Sequence, residues 1–310
     1  MIQTNVLLKK HSNFKIGGPA SFFYEFKSEE SLKEALTEWQ NLKKDLPIFI
    51  LGKGTNILFN DDGYDGLVLK DSINFIKREG NILEVGSGTL VSELVGYCLQ
   101  NSLSGFEWAG GLPGTVGGGV RGNAGAFLGE MKDSLVEVTS IDVKTLKIKI
   151  RNNTDCKFSY RQSVFKKGNG ENEIILSVKF KLEKGNREEI KKKTQEKIDY
   201  RIDRHPLDLP NIGSTFKNVD VKSISRKVLK EFEASIKPDP FPVLPVAKLL
   251  VGADFKGREI GGAKFSERHP NFIVNFNNAK ARDVRALIDL AKKEIKEKYD
   301  ISLEEEIMIV

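Results

Sequence analysis

Residues 105–126, GFEWAGGLPGTVGGGVRGNAGA, place nine glycines in 22 positions. A glycine inside a helix or strand costs roughly 0.5 to 1 kcal/mol relative to alanine. Such density is therefore expected where main chain approaches a ligand or takes positive φ, and not where a core is packed. Pro113 fixes the entry to the turn, while Thr115 and Asn123 offer a hydroxyl and an amide beside unshielded N–H groups. The stretch reads as a backbone nest for an anion.

A second glycine loop lies upstream. The apolar run Ile48, Phe49, Ile50, Leu51 reads as a buried strand delivering Gly52, Lys53, Gly54, Thr55 and Asn56. Two such loops suggest one dinucleotide held at both ends. Gly117, Gly119 and Gly122 satisfy GxGxxG, but Pro113 and Gly114 precede them where a Rossmann fingerprint needs a strand. The GxxxxGK[ST] spacing of a P-loop is absent as well.

The 310 residues suffice for two or three compact units. No apolar run approaches the roughly 18 residues of a membrane span, and no signal-peptide pattern opens the chain, so a cytoplasmic, membrane-independent protein is expected. Cys98 and Cys156 match no metal or redox spacing, and Cys98 falls on the apolar face of LVSELVGYCLQ, where a buried thiol is expected. His11, His205 and His269 match no metal spacing, so no metal is assigned. The net charge of +6 suits nucleic acid or small polyanions. In Arg187–Lys197 glutamates alternate with the lysines, as on a solvated helix, and no basic stripe carries interleaved aromatics. Phosphate-bearing small molecules are favoured over nucleic acid.

Ser28 caps an expected helix through Leu32, Ala35, Leu36 and Trp39. Short strands are expected at 66–69, 75–78 and 82–85, a helix at 90–100, and further strands at 136–142, 147–150 and 174–182. A helix over 187–202 leads to a linker at 205–210. Then come a helix at 223–236, a proline-rich surface excursion PDPFPVLP, a strand at 271–276, a helix at 281–298 and a terminal strand at 306–310.

Three polar segments are candidates for chemistry. Arg161, between Tyr160 and Gln162, reads either as a fixed fork for a carboxylate or as a structural arginine on a strand edge. In PNIGSTFKN, Gly213 permits a turn that aims Ser214 into a cavity, and Lys217 suits a phosphate; turn capping is the alternative for Ser214 and Asn218. No GxSxG elbow surrounds Ser214, which argues against a hydrolase using His205 or His269. Strand alternation would put Glu304 and Glu306 on one face and Glu305 on the other, although an acidic terminus is commonly just solvated.

Taken together, FKIGGPA (14–20), LGKGTNIL (51–58), AGGLPGTVGGGVRGNAGAF (109–127), SYRQS (159–163), PNIGSTFKN (210–218), GREIGGAKFSERHPNFIVN (257–275) and LEEEI (303–307) resemble, in order, the UDP-N-acetylenolpyruvoylglucosamine reductase family, MurB-type flavoenzymes. The resemblance implies an α+β architecture: a two-subdomain FAD-binding fold of the vanillyl-alcohol-oxidase and MurB type, not Rossmann, plus a C-terminal α+β substrate domain. Its boundaries would be 1–71 and 72–203 for the two FAD-binding subdomains, 204–300 for the substrate domain and 301–310 for a strand carrying a catalytic glutamate.

The resemblance further implies non-covalent FAD held by Gly52, Lys53, Gly54, Thr55, Asn56, Gly110, Pro113, Gly114, Thr115, Gly117, Gly118, Asn123, Gly125 and Ala126. NADPH would be the reductant and an enolpyruvyl UDP-sugar the substrate. Ser214 matches the proton donor, and Arg161 and Glu306 match the pair that polarises the substrate carboxylate; Tyr160, Lys217 and Asn218 would contact substrate. A monomer is expected. Asn13 stands where a threonine is usual, Gly122 where a methionine is common and Val219 where a proline follows FKN; the 219–245 segment is also unusual. The alternatives are another FAD-dependent oxidase of this fold, which commonly tethers flavin through a histidine or cysteine that neither glycine loop contains, and a non-catalytic basic scaffold.

Overall fold

A computed structural model describes residues 1–42, 45–239 and 241–310. The chain forms two compact units, and both are discontinuous in sequence. The first comprises 1–6, 20–53 and 65–201; the second comprises 7–19, 54–64 and 202–310.

The first unit contains two sheets. One runs in the order Gln3–Leu7, Pro19–Phe26, Tyr64–Asp71, Ile48–Leu51, with the last two strands parallel. Helix Glu29–Asn41 follows the second of these strands. Ser28 caps it by accepting from Ser31 N, and the 3.6-residue spacing of Leu32, Ala35, Leu36 and Trp39 buries one face together with Phe26, Leu67 and Leu69. The other sheet is antiparallel throughout, in the order Ile148–Asn152, Leu135–Asp142, Glu173–Lys181, Ile82–Gly86, Ile76–Glu79. Its core side packs Leu83, Val85, Val138 and Phe180 with Leu94 and Cys98 of helix Val91–Gln100. Helix Arg187–Arg204 completes this region.

The second unit is built on the strand order Asn211–Ser214, Phe272–Asn275, Ala263–Phe265, Glu259–Ile260. Helix Ala281–Tyr299 buries Val284, Leu287, Ile288, Ala291 and Ile295 in a core that also takes Phe14, Ile16 and Leu58 from the early segments.

Three sequence expectations are corrected here. The helix expected over 223–236 is reduced to Arg226–Glu231 between single 3-10 turns at Val221–Ser223 and Glu233–Ser235, because only Val228 of its six residues is buried and little apolar surface supports more. The proline-rich segment does not run over the surface throughout: Val243 and Leu244 are fully buried and pair with Val219–Asp220. Pro240 within it lies outside the described residues. The terminal strand is confined to Met308–Ile309, parallel to Ile57–Leu58, and Glu306 precedes it in an irregular segment.

Candidate active site

The glycine-rich stretch is not a single loop. Thr115 caps a six-residue helix, Val116–Arg121, its Oγ1 accepting from Gly118 N at 3.3 Å. Several glycines here do serve packing, contrary to the sequence expectation. A Cβ on Gly117 would stand 2.8 Å from Ser87 Cβ, and one on Gly119 would stand 2.6 Å from Met131 Cε. Gly114, at φ +117°, is a true turn glycine and gives its carbonyl to Val91 N at 3.0 Å. The two glycine segments abut: a Cβ on Gly52 would lie 2.6 Å from Thr115 Oγ1. Lys70 Nζ donates to the Gly52 carbonyl and ties down the same turn. Main chain bare of side chains at Gly52 and Gly118, beside the Thr115 hydroxyl, fits the pyrophosphate of a dinucleotide such as FAD.

Farther along, Gly125–Ala126 pairs with Gly129–Glu130 in a tight hairpin. Asn123 is fully buried at φ +42°; its Nδ2 donates to Ser159 O at 3.0 Å and its Oδ1 accepts from Lys132 N at 3.2 Å. This asparagine therefore works for the protein frame. Arg161 takes a left-handed backbone, φ +55°, and its Nη2 donates to Gly125 O at 2.8 Å, with the guanidinium 4.9 Å from the Tyr160 ring. Lys166 Nζ donates to Arg161 O at 3.0 Å. Tyr160 and Arg161 are thus held against the end of the glycine stretch, and Lys166, which the sequence did not single out, braces the strained residue.

In the second unit, Ser214 ends the strand Asn211–Ser214 opposite Phe272, just after Gly213 at φ +83°. Thr215 N donates to Asn271 O at 2.7 Å, and Thr215 O accepts from Glu306 N at 2.8 Å. Asn271 also bridges both backbone groups of Phe216, accepting at 3.1 Å and donating at 2.9 Å. Asn56 Nδ2 donates to Glu306 O at 3.0 Å. Asn56, the Glu306 backbone and Thr215, next to Ser214, are therefore linked by hydrogen bonds. Asn13, noted from sequence only as a departure, donates through Nδ2 to Asn211 O at 2.8 Å while its N–H reaches Gly54 O at 3.0 Å. It links the Gly54–Asn56 turn to the serine strand. A Cβ on Gly54 would meet His11 O at 2.3 Å, so this turn tolerates only glycine.

The remaining site residues have internal partners. Lys217 pairs with Glu304 at 3.0 Å, Asn218 Oδ1 accepts from Val246 N at 3.3 Å, and Glu305 pairs with Lys292 at 2.8 Å. The carboxylates of Glu304 and Glu305 are each held by a lysine. His205 and His269 stack edge to face at 5.4 Å, and burial pushes His269 down to about 4. Burial pushes the thiols of Cys98 and Cys156 up to about 12, and both are free. Among the described residues no cluster of metal ligands occurs, and no helix is long and apolar enough to cross a membrane.

Comparison with known proteins agrees with this arrangement. Residues 20–145 match the family model described as FAD binding domain, and residues 205–310 match the C-terminal domain of UDP-N-acetylenolpyruvoylglucosamine reductase. The reductase of Caldanaerobacter subterraneus is 38% identical over 307 residues, covering 99% of this chain and 92% of the relative. That of Clostridium novyi is 34% identical over 310 residues, covering 100% and 92%. The crystal structure of UDP-N-acetylenolpyruvylglucosamine reductase from Thermus caldophilus superposes with a TM-score of 0.78 at 28% identity, covering 100% of this chain and 99% of that one. With glycine segments suited to a dinucleotide, a serine and a glutamate tied to a common backbone, and relatives alike over nearly the whole length, the chain belongs to the UDP-N-acetylenolpyruvoylglucosamine reductase family.

Proposed function

We propose that this protein is an FAD-dependent oxidoreductase that reduces the enolpyruvyl ether of UDP-N-acetylglucosamine enolpyruvate to UDP-N-acetylmuramate with NADPH, in the cytoplasm and as a monomer. The observation that carries the reading is the convergence of Ser214, Glu306 and Asn56 on one backbone framework, in a chain whose other glycine segments suit FAD. FAD held by the glycine segments would supply hydride chemistry, with NADPH as reductant and C3 of the substrate double bond as acceptor. The resulting negative charge is drawn from C2 onto the substrate carboxylate. Arg161 offers a planar fork to that carboxylate, and Glu306 acts with it as the pair that polarises the carboxylate. Ser214 gives its hydroxyl proton to C2, which completes addition of a hydride and a proton across the double bond.

Lys53, Thr55, Pro113, Gly114, Gly118 and Ala126 complete the cofactor set, and Tyr160, Lys217 and Asn218 complete the substrate set; Lys217 would exchange Glu304 for a phosphate. The functional division we propose is 1–71 and 72–203 for cofactor, 204–300 for substrate, and 301–310 for the glutamate. Non-covalent flavin is favoured over a tethered oxidase flavin because both cysteines are buried with suppressed thiolates.

The test is a visible spectrum of the purified protein followed by anaerobic reduction with NADPH and reoxidation with the enolpyruvyl UDP-sugar. A flavin band that bleaches and returns only with that sugar is expected. A colourless protein that FAD cannot reconstitute overturns the proposal.

A further inference from the structure

Arg201 lies in neither region matched by the family models, 20–145 and 205–310, yet it is built into the glycine-rich segment. It is 8% exposed. Its Nε donates to Gly110 O at 2.9 Å, and a Cβ on Gly111 would stand 3.0 Å from its Cδ. The guanidinium lies 5.3 Å from the ring of Phe127, which Lys197 approaches at 5.2 Å and Tyr200 meets edge-on at 5.1 Å. Phe127 reaches that position through backbone strain. With Leu128 it forms the two-residue turn of the Gly125–Glu130 hairpin at φ +52° and +69°, a left-handed pair that ordinarily calls for asparagine and glycine.

The Nη2 of Arg201 is buried and has no hydrogen-bond partner, and Thr194 Oγ1, two turns earlier on the same helix, is in the same state. Thr194 also lines this place, since a Cβ on Gly110 would stand 2.5 Å from its carbonyl oxygen. Among the described residues no carboxylate forms an ion pair with Arg201. A buried guanidinium without a counter-charge weakens a fold, and a strained aromatic turn beside it adds to that cost. An arrangement of this kind is completed by an anionic acceptor from outside the chain.

We propose that Arg201 is a cofactor anchor whose Nη2 donates to an anionic acceptor of FAD. The inference rests on the FAD reading above. Two parts of the cofactor carry such acceptors: the pyrophosphate in every redox state, and the ring once reduced. Either supplies the negative charge that the guanidinium lacks.

The test compares wild type with Arg201→Met and Arg201→Lys, as apoprotein and with FAD. In Arg201→Met, FAD affinity falls about 10- to 100-fold, within the range for losing one charge-assisted contact. The apoprotein melts within a few degrees of wild type, because the lost bond to Gly110 is offset by removing an uncompensated charge, and the rise in Tm on adding FAD shrinks. If the pyrophosphate is the acceptor, riboflavin, which lacks it, binds both proteins alike and the midpoint potential of bound FAD is unchanged. If the reduced ring is the acceptor, the potential falls and riboflavin shows the same fall. Equal FAD affinity and equal potential in wild type and Arg201→Met overturn the anchor alone, as does an apoprotein destabilised as much as the FAD form. Failure of wild type to take up FAD overturns the functional reading itself. Should Arg201→Met not fold, Arg201→Lys carries the test: it keeps the charge without the planar fork, and an FAD affinity equal to wild type overturns the proposal.

Discussion

Asn56 donates its side-chain amide to the carbonyl of Glu306 at 3.0 Å, across 250 positions of sequence, and its own carbonyl accepts from Met308 N at 2.9 Å. The turn that follows the first glycine strand thereby sets where Glu306 stands. Asn56→Ala removes only the side-chain bond, worth about 1 kcal/mol, and leaves the backbone bond in place. We expect flavin to be retained and turnover to fall about tenfold, through displacement of Glu306. Flavin content with steady-state kinetics checks this; unchanged turnover would show that the tie does not govern the glutamate.

Ser214→Ala should leave reduction of the flavin by NADPH intact and slow its reoxidation by substrate by about 10² to 10⁴, the range for losing a positioned acid. Stopped-flow absorbance separates the two half-reactions. Loss of the first as well would mean that the serine has another role.

Gly52→Ala introduces a methyl group 2.6 Å from Thr115 Oγ1. Thr115 cannot yield freely, because that oxygen caps the helix at Val116. FAD affinity should fall at least tenfold. The double variant with Thr115→Ala should recover part of it, since the next nearest atoms stand at 3.7 Å, at the expense of a helix cap worth about 1 kcal/mol. Fluorescence titration of the four proteins measures the coupling.

His269 is held at about 4 by burial, below an ordinary 6.5, with Lys237 adding repulsion. A base whose proton affinity is lowered by folding contributes stability that is complete above about pH 6.5 and lost as pH falls through about 4. The loss amounts to about 3 kcal/mol. His269 packs 4.8 Å from Phe272, which lies opposite Ser214. Acid should therefore loosen the serine strand early, and His269→Gln should flatten the pH dependence between 6.5 and 4 in chemical denaturation. Parallel curves for the two proteins would exclude His269 as the source.

Where side-chain period decided the structure, the sequence was legible. The Leu32, Ala35, Leu36, Trp39 face and the Val284 to Ile295 stripe each fall in a core, and Ser28 caps as its hydroxyl suggests. The strand at Ile48–Leu51 was equally plain, because four apolar residues end at a glycine. Other features depend on distant neighbours. Gly117 and Gly119 looked like ligand-facing glycines, but Ser87 and Met131 occupy the space a side chain would need. The 223–236 helix failed because nothing in its own pattern revealed how little core it meets. Ser214 and Glu306 come forward through motif resemblance alone, and their roles stand as proposed; the ties that Asn13 and Asn271 make around the serine segment and Lys166 makes to Arg161 are not legible, since amide and ammonium groups that bridge backbone leave no periodic trace.

The parallel pairing of Met308–Ile309 with Ile57–Leu58 has a bearing on biosynthesis. A ribosome makes the earlier partner long before the later one, so the edge at Ile57 emerges with no mate and must be shielded by other means until residue 309 has been made. The first unit, complete once residue 201 has appeared, is free to mature sooner. The order of synthesis thus favours a protein that completes the glycine segments of its first unit before the segments that carry Ser214 and Glu306.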